Sequence, residues 1–270
     1  MHSAREGAFL NDTLKIMDSR YRAPALEKGL DILELLAAET EPMTLTAIVK
    51  RLGRSHGELF RMVQVLEHRG YIEQDQSSDG YRLSDRLFSL GMQQPRMRTL
   101  HEIALPVMRN LADSVGQSCH LALHSLGDIV VVARIESGEL LGFSVRVGYR
   151  RPLPKSASGT ILYAFQPEDV RRRWEALFSP KLPKRELEEF RKYADSIREK
   201  GITMSPSSFV GGVTDISAPV MRGGMAAAAL TVPFLDKKLG ESASAKQVAE
   251  RVREAAERIS AQLVESDSRI

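Results

Sequence analysis

TLTAIVKRLGRSHGELFRMVQVLEHRGYIEQDQSSDGYRL, residues 44–83, reads as two short amphipathic helices around a glycine turn, followed by a hairpin. Leu45, Ile48, Val49 and Leu52 recur at helical spacing, so one face of the first helix can be buried. Gly53 and Arg54 break it. Ser55, with Glu58 three residues on, then forms a Ser-x-x-Glu capping box that starts the second helix at His56. There Leu59, Met62, Val63 and Leu66 make the apolar stripe, leaving His56, Gly57, Phe60, Arg61, Gln64 and His68 toward the other face. Beyond Gly70, the alternation from Tyr71 to Asp75 and a return through Tyr81, Arg82 and Leu83 across Asp79-Gly80 outline a wing, with Gln76, Ser77 and Ser78 at its tip. This is the outline of a winged helix-turn-helix, which points to duplex DNA.

A helix entering the major groove reads bases with its N-terminal residues. His56, Gly57, Glu58 and Arg61 are therefore candidates for base edges, with Ser55 beside them, and Lys50, Arg51 and Arg54 for phosphates. The wing adds Arg82 as a phosphate ligand, against the plainer reading of a solvated polar turn. For Glu58, a reciprocal cap on the Ser55 amide is the stronger reading of the pattern. His68 and Arg69 are explained by the helix dipole.

On the amino side, Pro24 can start a helix carrying Leu26, Leu30, Ile32, Leu33, Leu35 and Leu36, a broad apolar face for the helix-turn-helix to pack on. Residues 1–22 mix Arg5, Lys15, Arg20 and Arg22 with acids and have no sustained period, which reads as an arm. No stretch resembles a signal peptide or a membrane span, so a cytoplasmic protein with no membrane partner is expected. The 270 residues, 43% hydrophobic and 27% charged, suit two modest domains. A formal charge of +3 and a pI near 9.0 are weak signs of nucleic acid. The useful charge is local: Lys50, Arg51, Arg54, Arg61 and Arg69 face only Glu58 and Glu67 over the helix-turn-helix. The single cysteine, Cys119, excludes an internal disulfide and a multi-cysteine zinc site.

Residues 85–94 read as a helix ended by Pro95, with Leu87, Phe88 and Leu90 on one side wanting a partner. From residue 99 the pattern mixes helix and strand. Ile103, Val107, Leu111 and Val115 suit a helix, and 119–124, 129–135 and 140–147 suit strands, with Gly127-Asp128 as a hairpin turn. Segments 158–165, 168–178, 186–200 and 246–264 read as helices, and 213–220 and 225–232 as strands. The layout is α+β with a mainly antiparallel sheet.

Three blocks in order carry a family resemblance. Residues 25–33 (ALEKGLDIL) with Leu45-Thr46-Ala47-Ile48, residues 60–66 (FRMVQVL) and Gly70-Tyr71-Ile72 resemble the DNA-binding domain of IclR-type bacterial transcriptional regulators. Residues 148–154 (GYRRPLP) with Ser156-Ala157-Ser158-Gly159, and residues 211–220 (GGVTDISAPV), are similar to the two motifs of that family's effector domain. The resemblance implies an arm over 1–22, a winged helix-turn-helix over 23–84, a linker helix over 85–98, and a GAF-like effector-binding and oligomerisation domain over 99–266. It implies double-stranded operator DNA and a small organic effector as partners, with carboxylic acids among the effector classes. It also implies a homodimer that can extend to a dimer of dimers, and no cofactor.

Carried over position by position, the effector contacts are Leu153, Ala157, Ile161, Ser205, Val213, Asp215 and Thr231. Two positions depart from the family's habit. Asp215 stands where small or thiol side chains are common, and Pro233 where a hydroxyl often helps hold a carboxylate. An ionised Asp215 repels an acid unless a cation intervenes. Arg146, Arg150, Arg151 and Lys155 can supply it, or form a solvated basic strand edge.

No catalytic or metal constellation is present, and an enzyme is not expected. Cys119 and His120 are adjacent strand residues on opposite faces, and Ser156-Ala157-Ser158-Gly159 lacks the leading glycine of a nucleophile elbow. The competing reading is a ligand-sensing protein-interaction module with a degenerate DNA-binding domain.

Overall fold

The computed structural model describes residues 23–75, 77–139, 142–208, 210–236 and 243–268. The expected arm over 1–22 and Gln76 of the wing tip lie outside them. The chain divides at Pro95 into two compact units.

The first unit holds α1 (Pro24–Ala38), α2 (Leu45–Leu52), α3 (His56–His68), β1 (Ile72–Gln74), β2 (Tyr81–Leu83) and α4 (Arg86–Met92). Its core is Ile32 and Leu36 of α1, Ile48 of α2, Leu59 and Val63 of α3, and Ile72 of β1. Each such side chain contributes roughly 1.5–3 kcal/mol by leaving water. Leu26 and Leu30, expected within the buried face of α1, instead remain exposed. Thr44 caps α2 by accepting from the Ala47 amide at 3.3 Å, and Gly53 ends it at φ 63°. At the wing Asp79 takes the positive φ of the turn. Gly80 is required for a different reason: a Cβ there would lie 2.8 Å from Pro42 Cβ and 2.9 Å from its carbonyl carbon. That close approach lets Met43 and Tyr81 exchange backbone hydrogen bonds at 2.9 and 2.7 Å, tying the wing to the strand-like lead into α2.

The second unit comprises α5 (Pro95–Val115), β3 (Cys119–Ser125), β4 (Asp128–Ile135), β5 (Arg150–Pro152), α6 (Ala157–Ala164), α7 (Glu168–Phe178), α8 (Lys184–Lys200), β6 (Thr203–Pro206), β7 (Val213–Arg222), β8 (Met225–Leu235) and α9 (Ala245–Asp267). Its six strands form one antiparallel sheet in the order β5-β4-β3-β8-β7-β6. Strand alternation divides it into two cores. Ile216, Ala218 and Val220 of β7 and Leu230 and Val232 of β8 pack with α5 and α9. Ala122, Ile129 and Val131 pack with Leu153, Ile161, Phe178 and Phe190 on the side of α6, α7 and α8.

Three expectations are corrected. Residues 142–147 form no strand, and 140 and 141 lie outside the described residues. The bonds beside β4 go instead to Gly148, whose amide donates to Val131 O at 2.8 Å, and to Tyr149, whose carbonyl accepts from the Val131 amide at 3.0 Å, leading into β5. The apolar run before it signals partial burial, as at Val145, without a ladder. Second, the helix expected over 85–94 is shorter, ending at Met92, and Pro95 stands between it and α5, which it opens as its missing N–H allows in a first turn. Third, the turn after β3 is centred on Leu126 and Gly127, with φ 53° and 86°, one residue earlier than expected. The edge strand β6, short and closed by Pro206, carried no readable period.

Candidate DNA-binding face and effector cavity

In the first unit the capping box places the start of α3. The Glu58 carboxylate accepts from the Ser55 amide at 3.2 Å and its hydroxyl at 2.8 Å, and pairs with Lys28 Nζ at 2.6 Å. These contacts, with the Lys28 bond foremost, pull the Glu58 carboxyl down to about 2. It is committed to its own chain. Lys50, His56, Gly57 and Arg61 stay exposed, and Lys50, His56 and Arg61 have no ion-pair partner among the described residues. Arg51, Arg54 and Arg82 are tethered to Glu39 (3.2 Å), Asp31 (2.7 Å) and Glu73 (2.8 Å). Such exposed pairs are weak and exchangeable for phosphate. Phe60, absent from the expected contacts, is exposed with its ring stacked near His56 at 6.1 Å. Its signal was an aromatic on the polar face of α3.

In the second unit a cavity of about 360 Å³ opens between the start of α6, α8, β6 and β7. Of the seven expected effector contacts, Ala157, Ser205 and Asp215 line it. Leu153, Ile161, Val213 and Thr231 do not line it and are all buried. Thr231 belongs to a buried hydroxyl chain: its Oγ1 meets Ser217 Oγ at 2.7 Å and Ser158 Oγ at 2.9 Å, beneath α6. Alongside it Tyr193 of α8, which lines the cavity, bonds Thr203 Oγ1 at 2.8 Å. The close seat of α6 depends on Gly159, where a Cβ would fall 2.0 Å from the Leu153 carbonyl oxygen.

Asp215 is raised from the usual carboxylate range chiefly by burial, against the opposing Ser207 hydroxyl bond and the nearby Arg151 charge. Glu186 and Glu189 add two carboxylates to the lining, and Lys155 one ammonium, paired with Glu186 at 2.6 Å. Of the other expected cations, Arg150 is turned to Ser125 and Asp128, Arg151 to Lys155 O and Ser208, and Arg146 is exposed. The acids of α8 were not anticipated. Their spacing, Glu186, Glu189, Phe190 and Tyr193, puts them on one helical face.

The family profile described as "Bacterial transcriptional regulator IclR C-terminal" matches residues 95–261, and that described as "IclR helix-turn-helix domain" matches residues 25–76. The chain belongs to the IclR family. It is thus a transcriptional regulator with a helix-turn-helix DNA-binding domain and a C-terminal ligand-binding domain. Among its relatives, the HTH-type transcriptional regulator KdgR of Escherichia coli (strain K12) is 29% identical over 241 residues, covering 87% of this chain and 91% of that protein. The Glycerol operon regulatory protein of Streptomyces coelicolor is 29% identical, covering 73% and 78%. Among solved structures, an IclR homolog of Microbacterium hydrocarbonoxydans complexed with 4-hydroxybenzoate superposes with a TM-score of 0.76 at 24% identity, over 88% of this chain and 98% of that one. HmgR of Pseudomonas aeruginosa gives 0.72 at 25% identity, over 90% and 100%. Such neighbours confirm the fold of this IclR-family regulator. No helix among its described residues is long and apolar enough to cross a membrane.

Proposed function

We propose that this regulator acts in the cytoplasm as a homodimer. It binds a roughly palindromic operator through α3 of each copy, and a small molecule in the effector cavity shifts the relative placement of the two heads. The observation that carries the DNA reading is the exposed face at the start of α3, where His56 and Arg61, like Lys50 of α2, have no ion-pair partner among the described residues and the one acid of the first turn, Glu58, is taken up by Lys28 and Ser55. His56, Gly57 and Arg61 then read base edges, while Lys50, Arg51, Arg54 and Arg82 meet phosphate; Ser55 and Glu58 set the helix start. One recognition helix covers too few bases for an operator, which two half-sites supply. Support for pairing comes from Leu26, Leu30, Leu87, Phe88 and Leu90, all exposed on the head unit.

Ala157, Ser205 and Asp215 contact the effector, and the other four expected contacts are buried and do not line the cavity. Of the three lining carboxylates Glu186 is paired with Lys155 and Glu189 with Arg185 at 2.8 Å, so no lining cation is left for a bare organic acid, and a hydroxylated neutral or cationic compound is the better guest. The 4-hydroxybenzoate of the Microbacterium homolog is in this respect a contrast. A gel shift against the promoter beside its own gene, repeated across salt concentrations, tests the DNA reading. Specific retention that weakens with salt is the expected result, and absence of any retention supports the protein-interaction alternative. A thermal-shift screen of polyols, amines and acids tests the effector reading, with acids expected to stabilise least.

A further inference from the structure

The second unit holds another cavity, of about 580 Å³, which shares no lining residue with the first. It forms where the first turns of α5 meet β3, α6, α7, the β7–β8 turn and the end of α9. Its walls are mostly apolar: Met97, Leu100, Leu123, Leu162 and Met225 surround a flat pair made by His124 and Trp174, stacked with centroids 3.8 Å apart. A space of this size, apolar with a few polar groups, is the usual form of a small-molecule site.

The polar groups define what it takes. Arg222 and Asp267 at the cavity are paired with each other, so neither presents an uncompensated charge. His124 accepts from the Gly127 amide at 3.1 Å. Burial, helped by the Arg150 charge, pushes its imidazole down to about 4, so it is neutral. Gln166 spends its amide nitrogen on the carbonyls of Leu162 (3.1 Å) and Ala226 (2.8 Å), while its carbonyl oxygen accepts no hydrogen bond among the described residues. That leaves an acceptor beside an aromatic and thioether surface.

We propose that this cavity is a second small-molecule site, for a neutral single-ring aromatic bearing a hydroxyl that donates to Gln166 Oε1. The ring lies against Trp174 and the methionines. Its occupancy is coupled to the first cavity through α6, a buried eight-residue helix that lines the first cavity with Ala157 and Thr160 and the second with Leu162. A ligand at either end biases the same rod, and such coupling is reciprocal. The second cavity also touches Met97 and Leu100 of α5, which begins at the division between the two units. The inference holds whichever compound occupies the first cavity.

Trp174 is the single tryptophan of the chain, so tryptophan fluorescence of the full-length protein reports this cavity. Benzyl alcohol is expected to change it along a saturable one-site isotherm, and benzoate to bind at least about tenfold more weakly, its carboxylate meeting only an Arg222 already paired with Asp267. Filling the space with Ala227→Leu is expected to weaken benzyl alcohol at least about tenfold at unchanged melting temperature; Met97→Phe is the second filling variant should the first fold poorly. No saturable change in the parent protein, or an identical titration in a folded filling variant, overturns the site. Benzoate binding as tightly as benzyl alcohol overturns the ligand class.

Discussion

Arg61 and Lys50 are both exposed cations near α3, yet the mechanism gives them different work. If Arg61 meets a base edge, Arg61→Ala costs roughly 1–3 kcal/mol of operator binding and relaxes preference at one position. Lys50→Ala instead weakens binding to all sequences alike and flattens the salt slope by about 1. Competition gel shifts on operator and scrambled duplexes separate the two. Gly159 is the residue on which the effector fold depends most directly, because the missing side chain is what admits the Leu153 carbonyl. Gly159→Ala is expected to destabilise the second unit by roughly 1–3 kcal/mol, read as an earlier urea transition. Glu58 was legible from spacing alone as a cap, and its three bonds to Ser55 and Lys28 agree.

Among the elements, α6 carries both cavities, and two side chains, Gln166 on the Leu162 carbonyl and Arg171 on the two after it, hold its far end. Arg171 of α7, buried, donates to the carbonyls of Tyr163 (3.1 Å) and Ala164 (2.5 Å) and pairs with Asp195 of α8 at 2.6 Å. Nearby, the Tyr163 hydroxyl donates to Glu175, which Arg191 also binds. Arg171 therefore does for the last carbonyls of α6 what a C-cap does elsewhere. Arg171→Met keeps the stem but leaves the Ala164 carbonyl unpaired and the Tyr163 carbonyl with only the Gln166 amide at 3.2 Å, a loss of roughly 1–3 kcal/mol in unfolding of the second unit. One arginine in a run of three gave no sequence signal of this, because Arg172 and Arg173 beside it are exposed and differ only by the turn of the helix.

For the whole molecule, pH and pairing are the accessible levers. His120, buried in the sheet, is pushed down to about 4 by desolvation, and His124 likewise to about 4, from an ordinary 6.5. The folded chain thus keeps them neutral while the unfolded chain takes up protons below about 6.5. Their contribution is full above that pH and is lost as pH falls toward 4. Melting temperature of the second unit is expected to drop across this window, and less steeply in His120→Gln. Asp215, raised by burial, acts in the opposite sense, so the variant is the discriminating comparison. For pairing, Phe88 on α4 is two-thirds exposed, at 67%. Phe88→Asp is expected to lower the mass measured by light scattering toward the monomer and weaken operator binding together, since two half-sites require two heads. The sequence by itself determined the helix-turn-helix, the wing, the α+β class of the second unit with its long helices and central strands, and the family, though not the edge strands β5 and β6. Those follow from periodicity, caps and turn residues, which act over neighbours in the chain. Only the tertiary structure decided that Ala157, Ser205 and Asp215 line open space while Leu153, Ile161, Val213 and Thr231 are packed shut, and that Arg51, Arg54 and Arg82 have acid partners. Periodicity says which face of an element is covered. Whether a gap remains there depends on how side chains from β6, β7, α6 and α8 meet, and those come from distant parts of the chain.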